Sequence, residues 1–302
     1  MLNKNNIIIG NSDYDQVAFD SEKIIAGEVQ CLTVGNSGSG KSFLTRNLIE
    51  ELYAKKLGNI LVIDPEGEYL SLRKLFDFVI LGLNKENCDI IITEENAAKL
   101  AVEMLKNKIN VIIDVSYTDD NNRQEIVSNY INSIIDNSSP MICASAPLQI
   151  IVEEISRFAR RGINTISNMK CIASLKRLAQ FGRLREISTF CNAQRISQLP
   201  IDIRSEYNTM IIGKCLDDGD INRYATKIGL RSGPSRELKI ELKKLKHEFF
   251  AWGDGFINNF NTSIRFKSLT PKSEYERDLL KLLPPKSEIV TKWIELMSGS
   301  LC

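Results

Sequence analysis

The run Gly35-Asn36-Ser37-Gly38-Ser39-Gly40-Lys41-Ser42 matches the phosphate-loop spacing G-x-x-x-x-G-K-[ST] at every fixed position. Glycines let successive backbone N–H groups turn toward one anion without a Cβ clash. A helix that starts there adds the partial positive charge of its N-terminus. In this pattern Lys41 reaches the β- and γ-phosphates and the Ser42 hydroxyl ligates Mg²⁺; Phe43, which follows, is counted with the loop as nucleotide-binding. The chemistry is therefore binding and cleavage of a nucleoside triphosphate, with ATP and Mg²⁺ as the expected ligands. A Gly/Ser-rich turn holding a chance lysine is the bland alternative.

Three further segments carry groups suited to that chemistry. The apolar stretch 59–63 ends in Asp64, followed by the turn formers Pro65 and Gly67. A carboxylate at the carboxyl edge of a strand lies where ligands bind in open α/β sheets, so Asp64 is a candidate for a Mg²⁺-bound water; otherwise it simply opens a turn. Leu148–Val152 is an apolar strand closed by Glu153 and Glu154. The first acid is the metal-side candidate and the second the general base that orients and deprotonates water. Both lie more than 100 residues beyond Lys41, a spacing that fits an extra strand between loop strand and acidic strand and fits a small-molecule kinase poorly. Gln194 follows the stretch 186–191, where an amide can sense a γ-phosphate. Arg183 precedes that stretch, where a guanidinium can reach a neighbouring subunit's phosphate; taken alone, each arginine also reads as a solvated surface residue.

Positioning these groups requires an alternating chain. Strands are expected at 31–34, 59–63, 78–81, 90–92, 110–115, 148–152, 186–191, 208–212 and 248–252, and helices at 43–57, 94–106, 124–135, 165–180 and 217–228. Continuous apolar runs such as Val111-Ile112-Ile113 suit strands covered on both faces. The fold class is thus α/β with a largely parallel central sheet flanked by helices. Residues 1–270 form the expected core domain. Residues 271–302 form a short helical tail, with helices at 274–283 and 288–297 separated by Pro284-Pro285.

The 302 residues carry a formal net charge of +1, so no overall field draws nucleic acid or an anionic membrane. The seven cysteines include no C-x-x-C pair, and with His247 as the only histidine no zinc-finger spacing exists. Scattered cysteines read as reduced and cytosolic. No secretory h-region is seen, and no apolar run is long enough to cross a bilayer. Basic residues gather at Arg157, Arg160, Arg161, Lys170, Lys176, Arg177, Arg183 and Arg185, and again at Arg231, Arg236, Lys239, Lys243, Lys244 and Lys246. Each group is either a duplex-backbone contact or a solvated helix face. His247 reads as an ordinary surface or strand-edge residue.

Together, the loop 35–42, the turn Asp64-Pro65-Glu66-Gly67-Glu68-Tyr69, the stretch 110–116, the acids through Glu154, Gly182-Arg183 and Ala193-Gln194-Arg195 resemble the HerA–FtsK group of ring-forming ATPases, HerA most closely, over about residues 16–268. The resemblance implies a RecA-like P-loop core in a homo-oligomer, a hexamer, that moves along double-stranded DNA, with a possible partner nuclease and no membrane. It implies nucleotide and Mg²⁺ binding by Lys41 and Ser42, an acidic cluster of Asp64, Glu153 and Glu154, a trans arginine finger at Arg183 and a sensor at Gln194. Two departures stand out. Ile155 and Ser156 follow the acids where the family often has Ala and His, and only about 30 residues precede the loop, too few for HerA's N-terminal barrel. A viral or prophage genome-packaging ATPase and a nucleotide-dependent oligomeric scaffold remain alternatives.

Overall fold

A computed structural model describes residues 5–138, 147–230, 232–258, 260–273 and 282–300. The strands are β1 (Ile7–Asn11), β2 (Gln16–Phe19), β3 (Gln30–Val34), β4 (Asn59–Asp64), β5 (Val79–Gly82), β6 (Ile90–Ile91), β7 (Val111–Asp114), β8 (Leu148–Val152), β9 (Ile187–Ala193), β10 (Thr209–Ile212), β11 (Glu248–Gly253) and β12 (Phe260–Ser268). The helices are α1 (Ser21–Ile25), α2 (Lys41–Lys55), α3 (Ala97–Asn107), α4 (Asp120–Asn137), α5 (Ile166–Phe181), α6 (Ile201–Arg204), α7 (Asp218–Lys227), α8 (Arg236–Lys244) and α9 (Glu288–Ser300).

All strands join one sheet in the order β2-β1-β12-β11-β10-β3-β9-β8-β4-β7-β5-β6. From β10 to β6 every pairing is parallel. The β2-β1-β12-β11 wing is antiparallel and joins β10 antiparallel. The continuous apolar runs have the predicted cause. Leu61, Ile63, Val111 and Ile113 enter the core on one face of the sheet, while Ile60, Val62 and Ile112 enter the core on the other, so successive residues bury on opposite sides.

Each nucleotide-edge strand ends at the same level. Val34 of β3 pairs with Ala193 and Ile212, and Val152 of β8 pairs with Cys191 and Ile63. Strand β9 lies between β3 and β8, as the long spacing from Lys41 to the acids anticipates. Because β11 runs antiparallel to β10, with Phe250 opposite Ile212, its beginning also lies at this edge.

Strands β1, β2 and β12 are additions to the sequence reading. Strand β12 buries Phe260 and Phe266 among mostly exposed or half-buried residues, so its apolar signal is weak and pairing with β11 and β1 holds it in the sheet. The expected helix at 274–283 falls largely on residues outside the described ones. Helix α9 covers the edge strand β6 and buries Val290, Trp293 and Met297 in the main core, which shields strand groups that would otherwise template pairing. Among the described residues no helix is long and apolar enough to cross a membrane.

Trp293 is only 4% exposed. Its replacement by alanine is expected to lower stability by about 3 kcal/mol, measured by urea unfolding. A loss under about 0.5 kcal/mol, the level of a surface substitution, would mean that α9 does not cover the core.

Candidate nucleotide site

The chain leaves β3 at Val34 and turns into α2. Gly35 N donates to Ala193 O (3.2 Å) and Asn36 N to Lys214 O (2.8 Å), while Asn36 Oδ1 accepts from Leu216 N (2.9 Å). The back of the loop is thus stitched to the strands on either side. Gly38 and Gly40 have φ of +73° and +96°, the left-handed region that glycine occupies at least cost. A Cβ on Gly40 would also lie 3.1 Å from His247 Nδ1.

Helices α4, α5, α7 and α8 open with side-chain caps from Asp119, Thr165, Asp217 and Ser235. Helix α2 opens on Gly40 with none. Its first amides are therefore not engaged by a capping side chain, the arrangement that receives phosphate. Lys41 Nζ donates to Gly35 O (2.7 Å) and Asn36 O (3.3 Å). Burial pushes its ammonium below the usual lysine range, and the carboxylates of Glu153 and Glu154 oppose that shift.

A cleft of about 730 Å³ opens over this loop. Ser37, Gly38, Gly40, Lys41, Ser42 and Phe43 form its floor, and Glu153, Glu154 and Gln194 line one end. Gly35, Asn36 and Ser39 do not line it; they build the loop's back, with Ser39 buried. The structure therefore gathers the phosphate loop, both acids and the glutamine around one space.

Glu153 accepts from Tyr69 Oη (2.5 Å) and Asn192 Nδ2 (2.6 Å). That same amide donates to Thr45 Oγ1 on α2 (2.6 Å), so the carboxylate is tied to the helix that carries Lys41. Burial raises Glu153 to about 7, against the lowering effect of those two hydrogen bonds. Glu154 has φ 43° and ψ 59°. This left-handed backbone is uncommon for a residue with a side chain and is found at functional sites. Its Oε1 accepts from Ser156 Oγ (2.5 Å) and Gln194 N (3.4 Å). Ser156, one of the two departures from the family pattern, thus positions the base candidate.

Asp64 lies apart from the cleft lining. It is fully buried and accepts from the amides of Glu66 (3.1 Å), Gly67 (2.9 Å) and Tyr69 (2.8 Å). It does not line the cleft; it shapes the turn that carries Glu66 and Glu68 there. Burial, with Asp114 beside it in register, raises it to about 7. Arg157, read with the basic surface groups, instead faces the cleft and pairs with Glu66 at 2.9 Å. Arg183 is 74% exposed and pairs with Glu28 at 2.9 Å. It precedes β9, whereas Gln194 follows it; the seven residues of β9 alone span roughly 20 Å at strand rise. Arg183 therefore does not serve its own protomer's cleft. Arg195 instead pins α7 through Asp217 (2.6 Å) and Asp220 (3.3 Å).

The sequence reading missed Glu68, His247, Phe249, Lys267, Ser268 and Thr270 as cleft residues. Glu68 was visible in the quoted turn motif. The others come from the antiparallel wing, whose polar pattern carries no local signal for the site.

Loop, acids and sheet order define a RecA-like P-loop ATPase. The family described as "Helicase HerA, central domain" matches residues 8–212, and the chain belongs to it. Solved structures share the fold. VirB4 of Thermoanaerobacter pseudethanolicus aligns with a TM-score of 0.62 at 13% identity, over 90% of this chain and 98% of that one. The genome packaging NTPase B204 from Sulfolobus turreted icosahedral virus 2, in complex with ATP-gammaS, aligns at 0.50 and 15% identity, over 80% and 98%. EssC (ATPases 2 and 3) from Geobacillus thermodenitrificans aligns at 0.53 and 12% identity, over 98% of this chain and 49% of that one. The search of curated proteins finds no match.

Two predictions test the site. Lys41→Ala is expected to abolish ATP hydrolysis, and Glu154→Gln to retain ATP binding with turnover reduced roughly a hundredfold or more; normal turnover in either variant removes that residue's role. For Glu153, the folded state holds its proton up to about pH 7 while the unfolded chain releases it near 4.5. Between these values the folded state binds more protons, so stability falls as pH rises. In metal-free buffer, urea unfolding from pH 4.5 to 8 is expected to show that fall, and Glu153→Gln to make it shallower, the remainder coming from Asp64. An unchanged slope would place the carboxylate in a water-like setting.

Proposed function

We propose that the protein is a ring-forming motor, a hexamer, that hydrolyses ATP to move double-stranded DNA. The observation that carries this reading is the meeting of the phosphate loop with Glu153, Glu154 and Gln194 in one cleft, while the candidate arginine lies on the opposite rim. The loop amides and Lys41 hold the triphosphate. Glu154 orients the attacking water and takes its proton, and Gln194 contacts the γ-phosphate. Arg183 of an adjacent copy stabilises the charge that develops on the transferred phosphoryl group.

Among the described residues there is no ready-made cluster of three or more acidic, histidine or cysteine ligands for a metal. The Ser42 hydroxyl and the Glu153 carboxylate are hard oxygen donors, which suits Mg²⁺ arriving with the nucleotide. Bound there, Mg²⁺ would neutralise charge on the β- and γ-phosphates.

The surface limits where DNA can be held. Lys170, Lys176, Arg177, Lys239 and Lys243 are already paired with Glu125, Asp202, Asp136 and Asp218. Arg160 and Arg161 are exposed and form no ion pair among the described residues, on the segment that follows the acids. Six copies of that segment around a channel would supply the salt-dependent backbone contacts a near-neutral protomer lacks. A partner nuclease and end processing or antiviral defence remain the proposed setting. A viral or prophage genome is the alternative cargo, favoured by the alignment of B204 over 98% of its length.

Linear duplex DNA is expected to raise the ATPase rate several-fold, with a hexamer by mass measurement in nucleotide. An ATPase rate indifferent to DNA supports the scaffold reading instead. Arg183→Ala is expected to be inactive alone and partly rescued by mixing with Glu154→Gln subunits; no rescue in any ratio excludes donation across an interface.

A further inference from the structure

The end of the cleft opposite the acids is built by residues beyond the matched family stretch, which stops at residue 212. Along the nucleotide edge the strands run β8, β9, β3, β10, β11, β12. Glu153, Glu154 and Gln194 follow β8 and β9, the phosphate loop follows β3, and His247 and Lys267 stand at the start of β11 and near the end of β12. The γ-phosphate must lie beside Glu154 to be hydrolysed. The rest of the nucleotide therefore extends across the loop toward β11 and β12.

Two observations mark His247 and Lys267 as more than rim residues. Lys267 lies opposite Glu248 in the β11–β12 register, yet Glu248 is held by Arg265 at 2.6 Å. Arg265 also takes Glu241 at 3.0 Å. Lys267 is left with no ion pair among the described residues while lining the cleft. His247 adopts φ 55°, a left-handed conformation disfavoured for a residue with a side chain. That conformation accompanies an imidazole set against Gly40, the residue that opens α2. Phe249 fixes the wall behind them: it is fully buried, and a Cβ on Gly213 would lie 2.9 Å from its ring.

We infer that His247 and Lys267 form a nucleotide-binding wall, contacting the α-phosphate and sugar end of the bound nucleotide, opposite the hydrolytic acids. The inference rests on the cleft being a nucleotide site and extends it to a wall that serves ATP and ADP alike. Contacts far from the γ-phosphate hold ground state and transition state equally, so their loss raises KM and leaves kcat in place.

The test measures ADP and ATPγS affinity by titration calorimetry, and ATPase kinetics, for the full chain. The variants are Lys267→Gln, Lys267→Arg, His247→Ala and His247→Asn, the last keeping a residue that tolerates the left-handed backbone. Lys267→Gln is on an exposed strand position and is expected to weaken ADP and ATPγS by the same factor, about tenfold, with kcat within twofold of the parent. Lys267→Arg is expected to restore most of the affinity, and both His247 variants to weaken binding of the two nucleotides in parallel. Unchanged ADP affinity in Lys267→Gln and His247→Asn, or a loss confined to kcat, overturns the inference. If the unaltered chain binds neither nucleotide, the nucleotide reading of the cleft itself fails.

Discussion

The structure depends on how helix α2 begins, on a glycine and without a side-chain cap. A buried amide without a partner costs on the order of 1–3 kcal/mol, and α4, α5, α7 and α8 meet that need at their first turns with side-chain oxygens. Helix α2 does not, because Gly40 occupies the capping position. The residue that gives up a cap gains the freedom to turn left-handed, and the turn aims the loop's amides at the cleft. The surrounding elements hold this arrangement in place: the loop's back is tied to β9 and β10, and Lys41 folds onto the loop's own carbonyls.

Glu153 extends the same constraint across the sheet. Through Asn192 it is linked to Thr45 on α2, and through Tyr69 to the turn that Asp64 organises. One buried carboxylate therefore fixes the separation of α2, β4, β8 and β9. This explains why the insertion of β9 between β3 and β8 does not leave the acids remote from the loop: Asn192, on the inserted strand, carries the connection. Glu154 follows directly in a left-handed conformation, so the base candidate turns off the strand toward the cleft instead of continuing along it.

Legibility in the sequence followed locality. The phosphate loop and the paired acids are contiguous, and their neighbours are apolar runs, so both element and role could be read. Asp64 stands at the expected strand edge, but the sequence does not reveal that the amides of Glu66, Gly67 and Tyr69 engage its carboxylate. Arg157 showed the opposite failure: its charge was legible, whereas its pairing with Glu66 across 91 residues was not. The antiparallel wing was least legible. Strand β12 alternates poorly and exposes most of its residues, and His247 and Lys267 enter the cleft only through a pairing register between strands that the sequence does not announce.

The charges in the cleft impose a further condition. Glu66, Glu68, Glu153 and Glu154 face Lys41, Arg157 and Lys267 there, and Arg157 is already committed to Glu66. Lys267 stands at the end away from the acids. Lys41 is therefore the one cation of the cleft free to meet a γ-phosphate beside Glu153 and Glu154, among the described residues. A triphosphate brings about four negative charges to a site whose acids already repel it. In the proposed ring, a divalent cation carried in with the nucleotide and a guanidinium from an adjacent copy would supply the charge balance at that end. Arg183, exposed on the far rim and paired there with Glu28, is the residue proposed for that donation.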